Sequence, residues 1–130
     1  MPITPGWYDA EKHIFLFHFT YPVRDWQSYR SAIDDGMEMM NQVDHDVIMI
    51  FDPEDIAMPA GNPLPHLRYA VQSRPDHVIA AVAIVNNHFA ATMMNWLKRI
   101  GFYHWIYVVE TREQAQEVII ELMSEREKQL

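Results

Sequence analysis

Apolar and polar positions alternate along this chain with two different periods, and the switches between them mark out the elements. His13 to Phe19 (HIFLFHF) is dense in aromatic and β-branched residues and stops at Thr20-Tyr21-Pro22, which predicts a strand. The shorter TPGWYD stretch ahead of it is placed to pair with it as a hairpin. After Asp25, an N-cap residue, Trp26, Tyr29, Ile33, Met37 and Met40 recur at spacings of three and four, the signature of a helix with one buried stripe. Asp34, Asp35 and Glu38 fall off that stripe and should face water. Asp46 to Asp52 (DVIMIFD) reads as a short buried strand that Pro53 ends.

In the second half, Asn62 and Pro63 mark the start of a helix whose inner face is Leu64, Leu67 and Val71. Val78 to Val85 (VIAAVAIV) is apolar without alternation, as in a central strand covered on both faces. Asn86 or Asn87 can cap a following helix with the stripe Phe89, Met93, Trp96, Leu97 and Ile100, which Gly101 terminates. Trp105 to Val109 is the last strand, and Thr111 with Gln114 forms a capping box for a final helix carried by Ala115, Val118, Ile119 and Leu122. The order β-β-α-β-α-β-α-β-α predicts one α/β domain over residues 1–130. Its sheet should be mixed but mostly parallel, with about four to five strands and the first antiparallel at an edge, covered by about four helices.

Composition changes this picture in two ways. The chain contains no cysteine, which removes disulfides, thiol catalysis and thiolate metal sites and fits a reducing compartment, so a cytoplasmic location is expected. No basic leader with an apolar core and no apolar run of membrane-spanning length is visible either. The net charge of −8 comes entirely from Ser31 to Leu67, which holds eight acidic residues and no Lys or Arg, while the other ten acids match the ten bases. Such a segment repels phosphate, so nucleic acid is not an expected partner.

The phrases WYDAEKHIFLF, VIMIFD, LPHLRYA and WIYVVETREQAQEVI, set in this element order, resemble the STAS fold, and in particular the SpoIIAA-like (STAS/SEC14-like) proteins. That resemblance covers nearly the whole chain and implies a signalling or protein-interaction module. In the anti-sigma-factor antagonists of that superfamily a strand-end aspartate leads into a loop whose serine is phosphorylated at the next helix start. Asp52 matches the aspartate and Ile56 the apolar loop residue, but the serine positions fall near Gly61 and Asn62, and no Ser or Thr occurs from Ala32 to Gln72. The resemblance therefore implies a module without the phosphoswitch.

Ligands of open α/β sheets collect outside the carboxyl ends of the parallel strands, where this chain should place Asp52, Asn86, Asn87, His88, Glu110 and Thr111. Those groups suit a cation, an oriented water or acid–base chemistry, although Asn86, Asn87 and Thr111 are equally ordinary helix caps. Seven histidines show no paired metal-ligand spacing, and Asp44-His45-Asp46, the most metal-like cluster, sits where a polar turn is expected. No glycine-rich phosphate loop or G-x-S-x-G elbow occurs, so neither a catalytic motif nor a cofactor is expected. The nine methionines, among them Met37, Met39, Met40, Met93 and Met94, can line an apolar pocket for a lipid-like ligand, but core filling is their commoner use.

Asp34, Asp35, Glu38, Asp44, Asp46 and Asp55 form the candidate acidic surface for a basic protein partner. The aromatic run Phe102-Tyr103-His104-Trp105 is a candidate contact in a homodimer. The expected function is a non-catalytic STAS-like interaction module, with an apolar-ligand sensor or carrier, or an enzyme or metal site at the strand ends, as alternatives.

Overall fold

Two short strands open the fold because the turn between them satisfies its own backbone. In the computed structural model, β1 (Ile3–Trp7) and β2 (Ile14–Phe19) pair antiparallel. In the turn, Asp9 Oδ1 accepts from the backbone N–H groups of both His13 and Ile14 at 2.9 Å. Lys12 takes a left-handed φ of 63° there. The structure describes residues 3–20, 22–52, 59, 61, 64–85 and 104–129.

The chain continues through α1 (Trp26–Asn41), β3 (Val47–Asp52), α2 (Leu64–Gln72), β4 (Val78–Ile84), β5 (Ile106–Val109) and α3 (Arg112–Gln129). Asp25 caps α1 as expected, its carboxylate accepting from Ser28 N–H at 2.7 Å. Thr111 and Gln114 form the expected capping box of α3, with Gln114 N–H donating to Thr111 Oγ1 at 3.1 Å and Thr111 N–H to Gln114 Oε1 at 3.3 Å.

Five strands lie in chain order, β1-β2-β3-β4-β5, and every pair after the first is parallel. The fold is thus α/β with a mixed, mostly parallel sheet and β1 at the edge. Three helices are present among the described residues. The further helix expected from Phe89 to Ile100, with Asn86 and Asn87, lies outside those residues, as does the Asn62-Pro63 start expected for α2. β4 is flanked on both sides, but β3 occupies the middle of the sheet. The unbroken apolar run of β4 reflects cover on both faces, not distance from the edge.

The strand order also fixes where the helices sit. Crossovers of one hand that always advance in the same direction across a sheet must land on the same face, and α1 and α2 do. Their cluster takes Phe15, Phe17 and Phe19 of β2, Val47 and Met49 of β3, and Tyr29, Ile33, Met37 and Met40 of α1. Free of any crossover, α3 covers the opposite face, setting Ala115 and Ile119 on Ile48, Ile50, Ala80, Val82 and Ile84. Along β4 the parity changes, since Val78 and Ala81 both belong to the first cluster. A register shift opposite Val47/Ile48 inserts the extra residue that makes this possible.

The α1 face is close-packed around aromatic rings. Phe17 stacks on Phe51 with centroids 4.7 Å apart and an angle of 8° between planes, and meets Phe15 edge-on at 5.2 Å. Gly36 of α1 lies directly over these rings, so the helix backbone descends onto β2 where no Cβ intervenes.

Candidate functional site

On the α3 face, the strand alternation that buries Phe15 and Phe17 turns Leu16 and His18 the other way. β3 does the same with Ile50 and Asp52, and the parallel register sets Leu16 beside Ile50 and His18 beside Asp52. The polar pair therefore stands at the carboxyl ends of the strands, one step outward from an apolar pair. Ile84 of β4 adjoins them, Tyr8 closes the β1 side, and Arg112, Ala115, Gln116 and Ile119 of α3 lie across the top. Together these groups enclose a hollow of about 320 Å³ that opens to solvent.

Asp52 is the buried charge of this hollow, 5% exposed. Arg112 Nε donates to its Oδ2 at 2.8 Å, while the Arg112 side chain remains 56% exposed. Arg112 is the first residue of α3, where the helix dipole disfavours a cation, and the Asp52 carboxylate offsets that penalty. Hydrogen bonds to charged groups contribute about 1.5–3 kcal/mol, and a half-solvated guanidinium places this one toward the lower end.

Of the groups expected at the strand ends, Asp52 is in the hollow. Glu110 and Thr111 are exposed and do not line it, because their backbone N–H groups are held by Gln114 Oε1 in the α3 cap. Asn86, Asn87 and His88 lie outside the described residues. His18, Arg112, Tyr8 and Gln116 are the polar members that local patterns do not disclose. His18 is the exception in part, since it shares strand parity with Leu16 and lies at a strand end.

The methionines do not line this hollow. Met37, Met40 and Met49 are buried in the α1 core and Met39 packs against it, whereas Met93 and Met94 lie outside the described residues. His45 donates through Nε2 to Lys12 O at 2.8 Å, and its ring tilts against His13 at 4.6 Å. Among the described residues no group of three or more His, Asp or Glu could hold a metal ion.

The acidic flank has internal partners. Asp34, Asp35, Glu38 and Asp44 are exposed and Asp46 is half-buried, while Asp55 lies outside the described residues. Asp34 accepts a short hydrogen bond from Tyr69 O–H of α2, which raises the Tyr69 pKa. The Arg30 guanidinium lies over the Tyr69 ring, 4.4 Å from its centroid. Arg30 Nε also donates to His66 Nδ1 at 3.1 Å, and His66 stacks flat on Trp26 at 4.2 Å. Part of the negative potential of α1 is thereby screened by a ladder from Trp26 to Asp34.

Burial, and then the Arg30 charge, lower the His66 pKa, and protonation would also occupy the nitrogen that accepts from Arg30. The stabilising contribution of neutral His66 is whole above its ordinary value near 6.5 and is lost as pH falls below it, because the unfolded chain takes the proton first. Thermal melts between pH 7.5 and 5.5 should therefore show a steeper fall in Tm for the wild type than for His66→Gln. Equal slopes would remove His66 from the pH response.

Among the described residues no helix is long and apolar enough to cross a membrane. Compared with protein-family models, curated proteins and solved structures, the chain has no match.

Proposed function

We propose that this chain is a non-catalytic, STAS-like binding module that takes a small amphipathic molecule in the hollow at the carboxyl ends of its strands. One observation carries the reading: a buried carboxylate, Asp52, meets a half-exposed guanidinium at the mouth of a hollow floored by Leu16 and Ile50 and covered by Ile119. Sites for small molecules combine an apolar lining with a few oriented polar groups in this way. The mixed α/β sheet, with Asp52 at a strand end, supports the STAS-like assignment. A binding rather than a catalytic role is supported by the lining, which among the described residues offers no hydroxyl nucleophile other than the exposed phenol of Tyr8.

The test is a thermal-shift screen of small amphipathic molecules together with native mass spectrometry of the gently purified protein. A true ligand at a hundredfold excess over its Kd adds about 2.7 kcal/mol of stability. Gln116→Trp, which fills the mouth from an exposed position, should abolish that gain. Shifts indifferent to Gln116→Trp, or a screen and spectrum with no ligand at all, would count against the hollow. A second reading, contact with a basic protein through α1, is supported by the exposure of Asp35 and Glu38. Lysine at both positions should leave ligand binding in the hollow unchanged and weaken only that contact.

A further inference from the structure

Resting on the hollow as a ligand site, we infer that its ligand carries a cationic nitrogen, and that Arg112 stands in for that nitrogen when the site is empty. The charge pattern points this way. Asp52 is almost wholly removed from water, and a buried carboxylate is tolerated only with a cation or several donors against it. Among the described lining residues Arg112 is the only Arg or Lys, and Glu110 and Glu113, within two positions of it in the chain, are both acidic and exposed. Two exposed acids beside the single lining base favour the approach of a cation over that of an anion.

Arg112 is a counter-ion at the solvent edge rather than a buried one. More than half of its side chain is in water, so moving it outward costs little desolvation, and it leaves a helix N-terminus that disfavours positive charge. A small ammonium or amidinium ligand entering from solvent can take over the Asp52 contact, set its apolar body on Leu16, Ile50 and Ile119, and bring its charge near the Tyr8 ring. Binding and release of Arg112 then form one exchange, in which Asp52 is never left without a positive partner.

The experiment is titration calorimetry at low salt and pH 7 with three probes of one shape: phenethylammonium, the uncharged 2-phenylethanol and the anionic 3-phenylpropionate. Phenethylammonium should bind at least tenfold more tightly than the alcohol, and the anion should be the weakest. Arg112→Gln, which keeps a neutral donor for Asp52, should tighten amine binding about tenfold by removing the internal competitor. Asp52→Asn should erase the preference for amine over alcohol. A measurement on the wild type does not depend on either variant folding: the Arg112 Nε–H resonance should move as phenethylammonium is added, reporting loss of the bond to Asp52.

Equal binding of alcohol and amine, weaker amine binding in Arg112→Gln, or an unmoved Arg112 resonance at saturation would each overturn the cationic assignment and leave the hollow as a site for another ligand. Anion binding that disappears in Arg112→Gln would do the same and make Arg112 the recognition group. No binding by any probe would overturn the assignment and weigh against the hollow itself.

Discussion

Phe17→Ala should lower the stability of this domain by about 3–5 kcal/mol, the cost of emptying a core aromatic site. Phe17 has no exposed surface, stacks on Phe51 from the neighbouring strand and meets Phe15 edge-on. Its other side is the backbone of α1 at Gly36. One wall of that space is hydrogen-bonded main chain and two are packed rings, so the cavity collapses less readily than it would among flexible side chains. Set against a total of about 5–15 kcal/mol for a domain, the loss is a large share. A urea titration should show a lower midpoint with an unchanged slope, and a loss under about 1.5 kcal/mol would show that Phe17 does not hold α1 to the sheet.

Gly36→Ala should also destabilise, by about 1–3 kcal/mol net, although alanine favours a helix by about 1 kcal/mol over glycine. A Cβ at this position would press into the Phe17 ring and approach Phe15 Cε1 to 3.1 Å. Movement of the Phe17 ring is restricted, because Phe51 stacks flat on one of its faces and Phe15 packs edge-on against it. Shortening the obstacle should relieve the clash, so the double variant Gly36→Ala, Phe17→Leu is expected to be at least 1 kcal/mol more stable than the sum of the single effects implies. Simple additivity, or a Gly36→Ala protein more stable than the wild type, would rule out this close approach.

These two positions show what the chain discloses of itself. Asp25 and the Thr111–Gln114 pair act over three residues, so their roles are readable from local sequence, and the strands follow from their apolar runs. Gly36 sits inside an otherwise ordinary helical pattern, and nothing nearby announces the ring beneath it. The parity change in β4 is hidden for a related reason: an all-apolar strand carries no alternation to count. Among the site residues, Asp52 is legible as a strand end. Its neighbours are not, since His18 arrives through strand register and Arg112 from sixty positions along the chain. Glu110 and Thr111 suit a cap and a ligand equally well on paper, and the cap prevails because Gln114 reaches back to them. The acidic flank is visible as charge, but its screening by Tyr69 and Arg30 depends on how α2 lies beside α1.

The chain-order arrangement of the strands has a consequence for synthesis on the ribosome. Each new strand emerges after a neighbour it must join, and the open edge of the sheet always waits for the strand that comes next in the chain. By the time β3 is made, Phe15, Phe17, Met40 and Met49 are all present to close a layer, so the growing end offers later segments a finished template.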